Sequence, residues 1–134
     1  MRWALLIGAV LLVVVDVVLI AGAMLPQGHL ASRTRRFSRP LPEIYAAVEM
    51  LAAESDDVPI EVVERMEPTK LVTRVKPGQP FGGTWTYEIA SDGTLTITER
   101  GEVYNPAFRF LSRYVFGHTA TLDAFLERLS ARLA

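Results

Sequence analysis

The sequence predicts an α+β protein: one N-terminal transmembrane helix, then a small domain in which an antiparallel β-sheet wraps a long C-terminal helix. Three observations predict it. Residues 4–25, ALLIGAVLLVVVDVVLIAGAML, form an apolar run interrupted by a single acid. From Ile60 onward, apolar and polar residues alternate with the period of half-buried strands. From Asn105 to the end, apolar residues recur at the i, i+3 and i+4 spacing of an amphipathic helix. On this reading residues 1–25 are a membrane anchor, 26–31 a linker and 32–134 the folded domain.

The run from Ala4 to Leu25 is ~33 Å long as a helix at ~1.5 Å per residue, enough to cross a ~30 Å hydrocarbon layer. Asp16 near its centre costs ~2.5–3.5 kcal/mol on insertion scales, and about a dozen Leu, Ile and Val residues at ~0.3–0.6 kcal/mol each outweigh it. Asp16 suits a helix–helix contact or a proton-linked role as well as a tolerated acid. A cleavable signal peptide is the rival reading, because Ala21-Gly22-Ala23 resembles a small-residue cleavage site. Its apolar core, however, is longer than the ~7–15 residues of such peptides. Arg33, Arg35, Arg36 and Arg39 follow the helix and only Arg2 and the amino terminus precede it, so the positive-inside rule places the domain in the cytoplasm, on a single-pass cell-membrane protein.

Pro26-Gln27-Gly28 ends the helix. SRTRRFS, Ser32 to Ser38, reads as a first strand, and its arginines suit a sheet edge. In LPEIYAAVEMLAAE, Leu41, Ile44, Tyr45, Val48 and Leu51 keep helical spacing, Pro42 suits the first turn, and Ser55-Asp56-Asp57 closes the helix. In IEVVERM, strict alternation puts Ile60, Val62 and Met66 on one face with Glu64. The turn Glu67–Lys70 leads to LVTRV, with Leu71, Thr73 and Val75 on one face. KPGQPFGG reads as a loop, with Gly82-Gly83 allowing a turn.

TWTYEI and TLTIT form a hairpin whose register can be derived. Paired residues of an antiparallel ladder point to the same face. A two-residue Asp92-Gly93 turn would pair Ile89 with Thr96 and mix the faces. A three-residue loop, Ser91-Asp92-Gly93, pairs Ile89 with Leu95 and Tyr87 with Ile97, with Gly93 in the left-handed position. The same register sets Glu99 opposite Trp85, an acid on the apolar face.

Asn105 is a good N-cap and Pro106 a good first residue for the last helix. Phe108, Leu111, Val115, Leu122, Phe125, Leu126, Leu129 and Leu133 form its stripe, while Phe110 and Tyr114 lie off it. With Phe116, they make the first half apolar over a wider arc than one sheet face covers. That surplus calls for a ligand, the membrane surface or a second protein.

Composition excludes several functions. With 14 basic and 15 acidic residues and a net charge of −1, nothing suggests a nucleic-acid binder. The absence of cysteine rules out disulfides, thiolate zinc sites and a Cys nucleophile. His29 and His118 stand far apart, so no histidine metal site is expected, and no phosphate loop or catalytic triad order appears.

LVTRV, PFGGTWTYEI, LTITERGEVYNP and FRFLSRYVFGHTATLDAFL resemble the C-terminal half of the SRPBCC superfamily, the START, polyketide cyclase/dehydrase and related lipid-transport domains. The resemblance runs from about Pro59 to Leu133 and is weaker from Leu30 to Glu54. It implies a helix-grip fold with a pocket between sheet and long helix for a lipid-like or aromatic molecule. Domains of this kind carry further strands where Leu51 here runs almost directly to Ile60, so roughly two strands of typical length are missing. The resemblance thus implies a truncated grip, its cavity smaller, more open, or closed by a protein partner covering the shortened sheet.

The lining residues it implies are Trp85, Tyr87, Ile97, Phe108, Phe110, Leu111, Tyr114 and Val115, each of which is equally at home in a core. Glu99 and His118 are the candidates for acid–base work, with salt bridging to Arg100 or Arg113 the alternative for Glu99 and helix packing for His118. No cofactor and no metal is expected. The expected function is a membrane-anchored domain that binds or carries a hydrophobic small molecule or lipid, with no reaction assigned. A non-enzymatic interaction module using the shortened sheet edge is the alternative, and a polyketide cyclase/dehydrase-like enzyme a third.

Overall fold

A computed structural model of the chain describes residues 2–25, 28–54, 59–111 and 120–134. Its elements are α1 (Arg2–Met24), β1 (Gly28–Arg36), α2 (Leu41–Ala53), β2 (Ile60–Met66), β3 (Lys70–Val75), β4 (Phe81–Ile89), β5 (Thr94–Val103), α3 (Pro106–Leu111) and α4 (Ala120–Leu133). The fold is α+β, an antiparallel sheet gripped against helices and preceded by an apolar helix, as the sequence predicts.

Among the described residues α1 is the one helix long and apolar enough to cross a membrane. Its large side chains from Trp3 to Ile20 are exposed except Val18, which is half-buried, so the domain does not use them as core. Contact with the domain comes at its C-terminal end, where Gly22 is buried. A Cβ there would lie 1.7 Å from the Pro106 carbonyl oxygen, so only glycine lets α1 and α3 touch. Arg109 of α3 ties the junction together, donating to the carbonyls of Val103 (2.7 Å), Tyr104 (2.9 Å) and Gly22 (3.4 Å). The Asn105 carboxamide oxygen accepts from the Ala107 N–H at 2.8 Å, the N-cap its residue type predicts.

The five strands run in the order β1-β5-β4-β3-β2, every neighbouring pair antiparallel. Helices α2 and α4 cover one face. Ile44, Val48 and Leu51 from α2 meet Leu71, Leu95 and Ile97 from the sheet and Leu122, Leu126 and Leu129 from α4. Leu129 and Leu122 have no exposed surface, and burying such a side chain contributes ~1.5–3 kcal/mol.

The derived hairpin register is the one found: Ile89 pairs with Leu95, Tyr87 with Ile97 and Trp85 with Glu99. Gly93 has φ +89°, and its carbonyl accepts from the Phe37 N–H at 3.0 Å. Strand β1 is an edge, as its arginines suggest, and two of them reach onto α4. Arg33 donates to Asp123 at 2.9 Å, and Arg35 to Ser130 at 2.7 Å and Glu127 at 3.0 Å.

Four readings are corrected. Strand β1 starts at Gly28 rather than Ser32, so the expected 26–31 linker is strand from residue 28 on, where backbone pairing with Gly101 and Glu102 continues the ladder. In β2 the register shifts between Val62 and Glu64. The extra residue reverses the faces beyond it, so Met66 leaves the face of Ile60 and Val62, and Arg65 turns inward to Glu49 at 3.1 Å. Gly82 and Gly83 are not a loop but part of β4, paired with Glu102 and Gly101. Phe108 and Leu111 do not continue the core stripe, because α3 packs on α1 beyond the end of the sheet and buries no residue fully. The uninterrupted helix expected from Pro106 onward crosses residues 112–119, which lie outside the described residues, with Arg113, Tyr114, Val115, Phe116 and His118. Pro26-Gln27 and Ser55-Asp56-Asp57 lie outside them too.

The turn yields a stability prediction. A Cβ at Gly93 would sit 2.3 Å from the Phe37 carbonyl oxygen, in a backbone conformation that L-residues avoid. Gly93→Val should destabilise the full chain by at least ~1 kcal/mol. An unchanged denaturation midpoint in detergent micelles would refute the register.

Candidate functional site

The inner faces of β4 and β5 change character along their length. Near the turn they carry Ile89, Tyr87, Leu95 and Ile97, all buried. Further along come Trp85 and Glu99, then the glycine pair Gly83 and Gly101. The glycine pair thus leaves one inward position on each strand without a side chain beneath α2 and α4. Gly83 has φ +125°, and a Cβ on it would lie 2.0 Å from the Arg100 carbonyl oxygen. A cavity of about 370 Å³ fills the space left.

Its walls are Trp85 and Tyr87 from β4, Thr73 from β3, Leu51 from α2, and Ala124 and Phe125 from α4. The three rings brace one another: Phe125 lies 5.8 Å from Trp85, edge-on at 74°, and 5.3 Å from Tyr87. Phe81 and Phe108 stand on the rim, both exposed.

One polar pair enters this apolar space. The His29 ring and Glu99 are 2.8 Å apart, Nε2 to Oε1. The bond places the donated hydrogen on Nε2, a tautomer assigned from this geometry. Register explains the meeting. His29 of β1 lies opposite Gly101, and Ala31 opposite Glu99. A Cβ on Gly101 would come within 2.3 Å of the His29 ring, so glycine leaves the ring room to lie across the strand. Both side chains are only 14% exposed.

Tyr87 supplies a third polar group. Burial pushes its phenol well above the usual range; the Thr73 hydroxyl works against that shift, and the Glu99 charge adds to it. Tyr87 is therefore a neutral hydroxyl at any physiological pH.

Of the residues singled out in the sequence, Trp85, Tyr87, Phe108 and Glu99 come together around the cavity. Ile97 does not line it: the residue has no exposed surface and belongs to the closed core under the helices. Phe110 and Leu111 lie on α3, partly buried and away from the cavity wall. Tyr114, Val115 and His118 lie outside the described residues. Glu99 pairs with His29 rather than with Arg100. A first strand beginning at Ser32 leaves His29 outside the sheet, so the sequence alone does not bring it to Glu99. The alternation His29, Ala31, Arg33, Arg35 carried the signal. Thr73 shares the face of Leu71 and Val75, as its alternation predicts, and also walls the cavity.

No protein-family profile and no curated protein matches the sequence. Solved structures do share the fold. The Mll3558 protein from Rhizobium loti superposes with a TM-score of 0.55 at 13% identity, over 79% of this chain and 95% of that one. MLL2253 from Mesorhizobium loti gives 0.51 at 15%, over 77% and 95%. A looser likeness, TM-score 0.40 at 15% identity over 80% and 83%, is to the polyketide_cyc-like protein Cgl2372 from Corynebacterium glutamicum. At such identities the first two establish the fold and not an activity. The architecture is the helix-grip type that the SRPBCC resemblance implies.

Proposed function

We propose that the chain is a membrane-anchored helix-grip domain that binds a hydrophobic small molecule or lipid between its sheet and helices α2 and α4. The observation that carries this is the cavity itself. Its volume falls within the ~300–1,000 Å³ of small-molecule sites, and aromatic walls around a few polar groups are the usual make-up of such sites. The exposed rim residue Phe108 belongs to α3, which is docked on the end of α1. If α1 spans the bilayer, the opening lies near the interface, where an amphiphile can reach it.

The alternative, a protein partner added to the sheet edge, finds less support. β2 carries a bulge and the charged residues Glu61, Glu64 and Arg65, features that discourage strand addition.

Native mass spectrometry of the full chain ejected from detergent micelles tests the reading. A co-purified apolar species is expected on the wild type and is expected to be lost from Ala124→Trp, which fills the cavity from an exposed helix position. Equal occupancy of both, or an empty wild type, would remove the cavity reading.

The arginines after α1 motivate the further proposal that the domain is cytoplasmic. The chain has no cysteine, so Ser91→Cys in the exposed turn reports sidedness alone. A membrane-impermeant maleimide should label it only after cells are permeabilised. Labelling of intact cells would reverse the assignment.

A further inference from the structure

Resting on the cavity reading above, we infer that the cavity selects apolar molecules bearing one hydrogen-bond-donating group, a hydroxyl or a protonated amine, and rejects the carboxylate of a fatty acid. The selecting atom is Glu99 Oε2. His29 donates to the other oxygen, Oε1. Among the described residues no hydrogen bond reaches Oε2. Among the described residues Tyr45 Oη is the side-chain atom both fully buried and unpartnered, and Oε2 is not. Glu99 lines the cavity and is only 14% exposed, so what reaches Oε2 comes through that space. An ionised carboxylate only accepts hydrogen bonds. Left without a donor in a poorly hydrated site, it carries a desolvation penalty that a donor-bearing ligand relieves.

The surroundings sharpen the choice. Trp85 stands directly across the strand pair from Glu99, and an indole face beside a carboxylate favours a cation. The Tyr87 hydroxyl, held neutral, is a second partner that can accept or donate. The other charged residues on the lining are Arg100, Glu102 and Arg128, all of them exposed. There water and salt screen them, so their pull on a ligand carboxylate is weak compared with repulsion from Glu99 inside. A fatty acid would set two carboxylates against each other, which is selection by repulsion.

The test uses three ligands with one tail: decanol, decylammonium and decanoate. The chain contains two tryptophans, and Trp3→Phe leaves Trp85 as a reporter inside the cavity. The full chain carrying Trp3→Phe is placed in phosphatidylcholine nanodiscs. Each ligand is titrated against Trp85 fluorescence, with concentrations corrected for partition into the lipid. Decanol and decylammonium should each bind at least ~tenfold tighter than decanoate, the scale of one hydrogen bond to a charged group. Adding Glu99→Gln, which can donate as well as accept, should weaken decylammonium about tenfold and strengthen decanoate. Decanoate binding as tightly as the other two in the Glu99 protein overturns the inference whatever the variant does, and leaves the cavity reading standing. An unchanged ranking in a folded Glu99→Gln protein, checked by circular dichroism, also overturns it. If none of the three perturbs Trp85, the cavity reading falls and this inference with it.

Discussion

The register of the β4–β5 hairpin is the constraint on which the rest of the structure depends. Side chains alternate faces with a period of two, so a slip of one residue would send Trp85, Tyr87, Ile97 and Glu99 to the opposite face of the sheet. The turn at Ser91–Gly93 prevents the slip. Gly93 supplies the positive φ and also lies against Phe37, so the turn is locked from outside as well as by its own geometry. With that register set, Gly83 must face Gly101 and Glu99 must face Trp85. The core and the cavity are two ends of one ladder.

The cavity exists because two kinds of cover run out together. Near the turn, large side chains from the strands meet α2 and α4 and leave no space. Beyond Trp85 the next inward pair is Gly83 and Gly101, before Phe81 and Val103 end the ladder. A close-packed interior has few voids of this size, and a lined void forfeits dispersion contacts. Placing a half-buried carboxylate beside it adds a further cost, only partly offset by His29. Two destabilising features in one place mark a candidate site better than either alone. The junction of α1 and α3 adds location. Gly22 and Arg109 hold the rim helix α3 against the apolar helix, so the position of the opening relative to α1 follows from direct contacts rather than from a loose tether.

Elements whose pattern is carried by local chemistry were legible from the sequence. The apolar run of α1, the helical spacing of α2, the Asn105 cap and the faces of β4 and β5 were all readable. What escaped depends on partners distant in the chain. Whether Gly28–Ala31 is linker or strand is decided by β5, some seventy positions away, whose Gly101 accommodates His29. The glycines at 82 and 83 look like turn residues in isolation, and only their pairing opposite Gly101 and Glu102 makes them strand. The bulge in β2 falls where Val62 and Val63 stand side by side, a break in the alternation that a regular strand leaves unexplained. Phe108 and Leu111 keep the spacing of the core stripe, while their actual partner is the end of α1, which the sequence presents as a membrane helix alone. The candidate site was therefore half visible: Trp85, Tyr87 and Glu99 from the hairpin, but not His29.

The His29–Glu99 bond joins the first strand of the domain to the last, and it exists only if both the hairpin register and the early start of β1 are correct. A double-mutant cycle reads that bond directly. His29→Ala, Glu99→Ala and the double variant are compared with the wild-type full chain by chemical denaturation in the same micelles. The account predicts a coupling of ~1 kcal/mol or more between the two positions, the scale of a partly buried hydrogen bond to a charged group. Additive losses, within ~0.3–0.5 kcal/mol, would mean that the two side chains do not meet and would contradict the assembly of the site.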